Sequence, residues 1–247
     1  MTICHPLPDS CAGAITGPHL LIQGSFYGDS AMADFATARR RMVDNQLRTS
    51  NVTDRRILTA MDEVPRERFV PADRQALAYT DTAHDLGAGR ALAPAAPFAK
   101  LIQLAEIDHT DRVLDIGAGT GYSTAVLARL GAYVTGLESD PALAAEARKL
   151  LTELGVGADI VEGALDGSTL PRDSFDVIVI EGAVVTEPAT LFPLLKEGGR
   201  LVALLRRNGA GVAHVYVRSG NGVAARAEFN TALPPLAPAA REESFIF

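Results

Sequence analysis

The sequence has no tryptophan, only two cysteines and few aromatic residues (6%) among its 247 positions. Both cysteines, Cys4 and Cys11, lie near the amino end, so a disulfide between them cannot hold a core together. Two thiols without neighbouring ligands also make a poor metal site, and we predict no bound metal. No apolar run approaches the roughly 18 residues that a membrane span needs. These absences exclude a disulfide scaffold and predict no membrane association.

Positive charge is also scarce, because 23 Lys and Arg face 30 Asp and Glu, for a formal net charge of -7. Nucleic-acid binding needs a basic surface, so we expect no nucleic-acid partner. Hydrophobic residues make up 47% of the chain, enough to build the core of a globular protein. No basic segment followed by an apolar stretch marks an export signal, and we therefore predict a cytoplasmic protein.

The chain divides into three predicted parts. Residues 1–31 show neither a helical nor a strand period, and we predict a flexible extension with Met32 as an alternative start site. Residues 32–95 are predicted as a helical lead-in and residues 96–247 as an α/β sheet. Nine arginines lie between positions 39 and 74. They form either a solvated face paired with the chain's own carboxylates or a basic lid for an acidic substrate.

The strongest functional signal begins at an apolar run, Val113–Ile116, which predicts a buried parallel strand. It leads into the glycine-rich turn 117–121, of sequence GAGTG, and then into a predicted helix over 122–130. In this nucleotide-binding arrangement the glycines let the backbone approach a ligand closely. A second predicted strand, 133–137, ends in Glu138, an acidic residue at the distance from the turn where it can bind two ribose hydroxyls.

The glycine spacing distinguishes between two nucleotide cofactors. An NAD site has G-x-G-x-x-G, but the third of these positions is Tyr122, so the observed spacing is G-x-G-x-G with Asp115 just before it. The pyrophosphate of NAD favours a helix amino end, whereas the sulfonium and ammonium groups of S-adenosylmethionine favour acidic residues. We therefore predict S-adenosyl-L-methionine as the cofactor. The predicted contacts in this part of the chain are Asp115, Gly117, Ala118, Gly119, Gly121 and Glu138.

Strands and helices continue to alternate downstream, which predicts an α/β fold with a doubly wound, mostly parallel sheet. Three further strands are predicted, at 158–163, 175–180 and 201–205. Glu181 follows the second of these strands, at the carboxyl edge where such sheets bind ligands, and is a further candidate contact of the cofactor. The segments 212–217 and 223–229 flank a Ser-Gly-Asn-Gly turn and predict an antiparallel hairpin at one sheet edge.

Residues 60–71 read AMDEVPRERFVP and are similar to the AM..VPRE.FVP signature of one enzyme family. The similarity extends to residues 113–122 and 198–202, and overall from about Met42 to Leu205, where the chain resembles the protein-L-isoaspartate O-methyltransferases. The resemblance implies a Rossmann-like methyltransferase domain, residues 32–247, with an added amino-terminal helical part. It also implies a reaction that moves a methyl group from S-adenosylmethionine to the carboxylate of an isoaspartyl residue. The implied substrates are damaged peptides and proteins, whose repair this methylation begins.

Two stretches depart from the pattern of that family. The family carries G-Q-T-I-S-x-P before the cofactor turn, whereas residues 89–95 read GRALAPA. Arg90 therefore stands for the Gln, while alanines at 91 and 93 replace the Thr and Ser whose hydroxyls line the family's active site; Leu92 is predicted as a cofactor contact. After the third strand the family has G-D-G. Here Gly163 and Ala164 occupy that place beside the adenine, with Glu162 or Asp166 as substitutes for the missing Asp.

The predicted reaction needs little acid–base chemistry. A carboxylate is already ionised at pH 7, so its attack on a methyl group requires no general base and depends on positioning. We predict Arg90 as a catalytic residue, because a guanidinium can bind a carboxylate in bidentate fashion, together with the position of Ala93. Two other functions remain open: a methyltransferase for a different acceptor, and a non-catalytic module that binds S-adenosylmethionine. The oligomeric state is not predicted.

Overall fold

The computed structural model describes residues 1, 27–131, 133–207 and 210–236. Most of the predicted extension, including Cys4 and Cys11, lies outside these residues. The first helix, α1 (Tyr27–Met42), begins inside the stretch 1–31 and includes Met32. The predicted division at residue 31 and the separation of the lead-in at residue 95 stay predictions.

The lead-in consists of short helical segments joined by tight turns. Helix α1 continues through a π-helical turn, Val43–Leu47, and a 3-10 turn that ends at Asn51 in the left-handed conformation. Helix α2 (Arg55–Glu63) begins at Asp54, whose carboxylate accepts a 2.8 Å hydrogen bond from the N–H of Arg56. Such a bond satisfies one of the free donors at a helix start. Two 3-10 segments follow, Arg66–Phe69 and Ala72–Leu77.

The described strands form one small hairpin and one large sheet. The hairpin pairs β1 (His84–Gly87) with β2 (Arg90–Leu92). The sheet has the order β5-β4-β3-β6-β7-β8-β9. Its strands are β3 (Arg112–Ile116), β4 (Tyr133–Glu138), β5 (Asp159–Glu162), β6 (Phe175–Val184), β7 (Leu195–Arg207), β8 (Ala210–Ser219) and β9 (Gly222–Thr231). The longer helices beside it are α3 (Ala95–Leu104), α4 (Tyr122–Leu127) and α5 (Pro141–Glu153).

Strands β3 to β7 run parallel, while β8 and β9 form an antiparallel hairpin at one edge. The predicted mostly parallel sheet with an edge hairpin is therefore confirmed. Helices alternate with the strands less regularly than predicted. Within the described residues, no α-helix connects β5 to β6 or β6 to β7, and the only helical segment there is the 3-10 turn Phe192–Leu194. Prolines at 171, 188 and 193 interrupt both connections and disfavour a helix.

Two apolar clusters cover the two faces of the sheet. Neighbouring residues Val113 and Leu114 belong to different clusters, because successive side chains of a strand point to opposite faces. The cluster that contains Val113 also includes Met42, Leu47 and Met61, so the lead-in and the sheet share one core. Along the described ranges, we find no helix with the length and apolar character of a membrane span.

The order in which the chain adds strands to the sheet reverses between β3 and β6. Strand β3 pairs in parallel with β4 on one side and with β6 on the other, although β4 follows it directly and β6 comes much later. Such a reversal opens a crevice beyond the carboxyl ends of the two strands, where α/β sheets bind ligands. The glycine-rich turn leaves β3 at this point.

Candidate functional site

The glycine-rich turn is held against the neighbouring strand. The N–H groups of Gly117 and Ala118 donate to the carbonyl of Leu137, at 2.8 and 3.2 Å. Gly117, Gly119 and Gly121 all have positive φ (+87°, +56° and +94°), a conformation that glycine adopts without strain. The turn therefore needs these three glycines, as the sequence predicts.

Glu138, at the end of β4, ties that strand to the turn. It is fully buried, and its Oε2 accepts a 2.7 Å hydrogen bond from the N–H of Gly119. Its Oε1 accepts from the N–H groups of Ser139 and Asp140, at 2.8 and 3.0 Å. The structure thus brings Glu138 and the glycine turn together. It also places Gly163 beside them, since the N–H of Gly163 donates to the Glu138 carbonyl at 3.0 Å.

Asp115 lies beneath the turn in a fully buried position. Its Oδ2 accepts hydrogen bonds from the hydroxyls of Ser123 (2.7 Å) and Thr124 (2.6 Å), while its Oδ1 is buried with no partner in the part of the chain that the structure describes. Burial raises the pKa of Asp115 to about 6, although the two hydroxyls act in the opposite direction. Ser123 and Thr124 are not among the site residues predicted from the sequence. The feature that could have identified them is a pair of hydroxyl residues in the first turn of the helix that follows the glycines.

A second buried carboxyl belongs to Glu181 on β6. Burial raises its pKa well above the ordinary value, and the negative charge of Asp115 raises it further, while Arg90 and Arg66 lower it. Its Oε1 is buried and has no hydrogen-bond partner among the described residues. Asp115, Glu138 and Glu181 lie on three neighbouring strands, β3, β4 and β6. Asp115 and Glu138 are near the carboxyl ends of their strands, whereas β6 continues to Val184, so Glu181 lies within that strand and does not follow it as predicted. Across the described residues, no three His, Cys, Asp or Glu side chains are grouped closely enough to hold a metal ion.

Arg66 is a buried cation that the sequence analysis did not assign to the site. Its Nε donates to the carbonyl of Ala78 (2.8 Å) and its Nη2 to the carbonyl of Ala93 (2.5 Å). Its guanidinium lies 4.9 Å from the ring centre of Tyr122. Arg66 therefore fixes the backbone at the position of the family's serine. The sequence feature that could have identified Arg66 is its position inside the 60–71 signature.

Arg90 lies beside the glycine turn and is almost completely buried. Its Nε donates to Glu138 Oε2 at 3.3 Å, and its Nη1 donates to the carbonyl of Leu236. The predicted binding of an acceptor carboxylate by Arg90 does not agree with these contacts, because the opposite charge of Glu138 already engages the guanidinium. Leu92 is buried in the same hairpin and pairs with His84.

The last predicted contacts lie at the end of β5. Ala164 is exposed, and its carbonyl accepts a 3.1 Å hydrogen bond from the N–H of Gly167. Glu162 and Asp166, the predicted substitutes for the family's Asp, are exposed as well. The carboxylate of Asp166 closes a local turn by accepting from the N–H of Ser168 at 2.9 Å.

Many arginines of the lead-in contact the chain's own carboxylates. Five of the nine lie within 4.0 Å of an acidic side chain: Arg39 with Glu67, Arg48 with Asp44, Arg56 with Asp54, Arg68 with Glu153 and Arg74 with Asp73. These contacts favour the solvated, internally paired face over the basic lid.

The raised pKa of Asp115 predicts a pH-dependent stability. A carboxyl whose pKa rises on folding stabilises the protein below its ordinary value of 3.8, and this contribution is lost as the pH rises through about 6. Asp115→Asn is neutral at every pH. We therefore expect the melting temperature of Asp115→Asn, relative to the unchanged protein, to increase between pH 4 and pH 7, as measured by calorimetry.

Asp176→Asn is the matched control, because its pKa is shifted the other way. Burial raises the pKa of Asp176, but hydrogen bonds from Lys196 (2.7 Å) and from the N–H of Arg112 (2.9 Å) outweigh it, and the net shift is downward. As the pH rises from the lowered pKa of Asp176 to the ordinary value of 3.8, Asp176→Asn should lose stability relative to the unchanged protein. A stability difference for Asp115→Asn that is constant from pH 4 to pH 7 would contradict the assignment.

The chain is similar to known proteins over most of its length. Residues 37–236 match the family model of protein-L-isoaspartate(D-aspartate) O-methyltransferase. Protein-L-isoaspartate O-methyltransferase 2 of Anaeromyxobacter sp. (strain Fw109-5) is 40% identical over 167 residues, which cover 67% of this chain and 69% of that protein. The protein-L-isoaspartate O-methyltransferase of Koribacter versatilis is 40% identical over 174 residues, covering 69% of this chain and 78% of that protein.

Solved structures share the same fold. One protein-L-isoaspartate O-methyltransferase superposes with a TM-score of 0.67 at 25% identity, covering 79% of this chain and 65% of that chain. A second, from Plasmodium falciparum in complex with S-adenosyl-L-homocysteine, gives a TM-score of 0.68 at 20% identity, covering 80% of this chain and 97% of that chain. The Rossmann-like fold is therefore confirmed. By the match over residues 37–236, the chain belongs to the protein-L-isoaspartate(D-aspartate) O-methyltransferase family.

Proposed function

We propose that this chain is an S-adenosylmethionine-dependent carboxyl O-methyltransferase that acts on L-isoaspartyl residues of damaged proteins. One observation carries the proposal: in a chain of this family, the buried carboxylate of Glu138 is hydrogen-bonded to the glycine turn at Gly119. This pairing puts an acceptor for ribose hydroxyls next to backbone that a ligand can approach closely.

The charges of the site suit S-adenosylmethionine, the cofactor of the family. Asp115 Oδ1 and Glu181 Oε1 are buried acceptors that no described residue contacts through a hydrogen bond, as expected where a cationic ligand supplies the donor. Glu138 would hold the ribose, the turn Gly117–Gly121 the amino-acid part, and Gly163 with Ala164 the adenine. Leu92 would pack against the bound molecule. When bound, the cofactor supplies an activated methyl group on a sulfonium.

The chain's own contribution to the reaction is positioning. The acceptor is a carboxylate that needs no base, so the residues around Ala93 have to hold it in line with the methyl group. Arg66 fixes this stretch through its hydrogen bond to the Ala93 carbonyl. The alanine leaves no hydroxyl at this point to orient the acceptor. We therefore infer a slower transfer than a serine at position 93 would allow.

The test is methyl transfer from tritiated S-adenosylmethionine to a peptide with one isoaspartyl residue, with the same peptide carrying ordinary aspartate as control. We expect a base-labile methyl ester on the isoaspartyl peptide alone. If the cofactor binds but no ester forms above background, the isoaspartyl assignment is wrong. A methyltransferase for another acceptor, or a non-catalytic binding module, would then be left.

Ala93→Ser tests the positioning part of the proposal. Because Arg66 already holds the backbone at this position, the added hydroxyl should not move the chain, and we expect roughly tenfold faster transfer from better orientation of the acceptor. Ala72→Ser, at an exposed alanine of the lead-in, is the control and should leave the rate unchanged. An Ala93→Ser rate equal to that of the control would contradict the role of this position.

The cytoplasmic location and the lack of a nucleic-acid partner stay predictions from composition.

A further inference from the structure

The carboxylate proposed to bind the ribose already has a cationic partner in this chain. Arg90 Nε donates to Glu138 Oε2, the same oxygen that accepts from the N–H of Gly119. Both side chains of this ion pair are shielded from solvent, with 6% and 0% of their side-chain surfaces exposed. A buried ion pair of this kind must be opened before another group can take its place at Glu138.

The space above the glycine turn is also filled by the protein. A Cβ atom built on Gly117 would collide with Nη2 of Arg90 and would lie 2.6 Å from Cδ1 of Leu236. The absence of a side chain at Gly117 therefore makes room for these two residues in this structure. Glycine at this position is the feature that was expected to admit a ligand.

Leu236 belongs to a short segment, residues 233–236, which lies along β6 and which we call the strap. The N–H of Ala183 donates to the Pro234 carbonyl (2.7 Å), and the N–H of Leu236 donates to the Ala183 carbonyl (3.0 Å). Pro235 and Ala183 form a parallel bridge. A Cβ on Gly182 would lie 2.7 Å from the backbone N of Leu236, so glycine at 182 lets the strap lie directly on β6.

Arg90 joins the strap to the site, because its Nη1 donates to the Leu236 carbonyl while its Nε donates to Glu138. Three carboxyl side chains, of Asp115, Glu138 and Glu181, gather at this end of the sheet. Positive charge from the guanidinium offsets their mutual repulsion in the free protein, as a sulfonium or ammonium would in the complex. The guanidinium and the cofactor thus meet the same electrostatic need.

We propose that Arg90 and the strap together close the cofactor site, so that S-adenosylmethionine binds only after Arg90 leaves Glu138 and Leu236 leaves Gly117. This inference rests on the proposed function, because it concerns the same site. It assigns Arg90, which stands where the family has Gln, to control of cofactor access rather than to binding of the acceptor. The measured affinity is then the intrinsic affinity reduced by the fraction of molecules in the open state.

Calorimetric titration with S-adenosylhomocysteine tests the closure. We expect Arg90→Gln to bind it at least tenfold more tightly than the unchanged protein. We expect Leu236→Ala, which removes the side chain over Gly117 but keeps the ion pair, to give a smaller gain. Arg129→Gln is the matched control: it removes an arginine that pairs with Glu63 on the surface, and its affinity should be unchanged.

Equal or weaker binding by both Arg90→Gln and Leu236→Ala would overturn the closure. Leu236→Ala decides the question if Arg90→Gln does not fold, because it leaves every charged group in place. Failure of the closure is distinct from failure of the proposed function. Tighter binding by the variants without methyl ester formation on the isoaspartyl peptide would support the closure and refute the proposed acceptor. Ester formation with unchanged affinities would support the proposed acceptor and refute the closure.

Discussion

Glu138→Gln is expected to weaken the binding of S-adenosylhomocysteine by on the order of 100-fold. Both carboxylate oxygens of Glu138 accept backbone N–H groups: Oε1 from Ser139 and Asp140, and Oε2 from Gly119. A carboxamide has one acceptor and one donor. Whichever way it turns, its NH₂ group faces an N–H that has lost its acceptor, which costs ~1–3 kcal/mol of stability in the free and the bound protein alike. The affinity falls because one of the two oxygens proposed to accept from the ribose hydroxyls is lost.

The substitution also releases Arg90, which by itself would ease entry of the ligand. The measurement is therefore made twice by calorimetric titration, once in the unchanged protein and once in the Arg90→Gln background, so that the coupling between the two residues is obtained directly. The loss should be larger in the second background, where the opposing effect of Arg90 has already been removed.

Glu63→Gln is the matched control for this experiment. Glu63 is an exposed carboxylate that pairs with Arg129 on the surface and is not among the candidate cofactor contacts. Its substitution should leave the affinity unchanged. If Glu138→Gln binds as tightly as Glu63→Gln in both backgrounds, the ribose contact has been placed on the wrong residue.

Arg66→Ala is expected to give the largest loss of stability, ~3–5 kcal/mol in the free energy of unfolding. Only 1% of the Arg66 surface is exposed, and its guanidinium donates to the carbonyls of Ala78 and Ala93. Each hydrogen bond from a charged donor contributes ~1.5–3 kcal/mol. The truncation also leaves a cavity against the face of the Tyr122 ring on which the guanidinium lies.

Chemical denaturation of two further variants separates these causes. Arg66→Met keeps most of the buried volume but donates no hydrogen bond, and we expect it to be destabilised nearly as much as Arg66→Ala. Arg68→Ala, two positions along the same 3-10 segment, removes an exposed ion pair with Glu153 and should cost less than ~1 kcal/mol. A loss for Arg66→Ala no larger than that for Arg68→Ala would show that its buried hydrogen bonds do not stabilise the fold.

Local patterns in the sequence predict the sheet and the glycine turn well. The strand Val113–Ile116 and the turn Gly117–Gly121 are predictable because an apolar run and the glycine spacing lie within a few residues of one another. The end of β6 is less predictable. The strand runs on to Val184 because residues 183 and 184 pair with Leu204 and Leu205, and such pairing depends on residues distant in the sequence.

The surroundings of Arg90 illustrate the same limit within the site. The sequence places an arginine where the family has glutamine, and a free guanidinium there suggests a carboxylate ligand. Its actual partners, Glu138 and Leu236, are 48 and 146 residues away along the chain. No local period or spacing connects these positions. Arg66 was missed for a similar reason, because the carbonyl of Ala93 that it holds lies 27 residues beyond it.

The long separation between Arg90 and Leu236 has a consequence for the order of events during synthesis. Contacts between distant residues form late, because a large loop has to be closed first. Residues 233–236 follow all the described strands of the sheet in the chain, so the glycine turn and Glu138 emerge from the ribosome well before the segment that lies over them. A newly made chain would therefore pass through a stage in which its nucleotide site is already formed and still open. The same late contact is expected to open first when the mature protein unfolds locally.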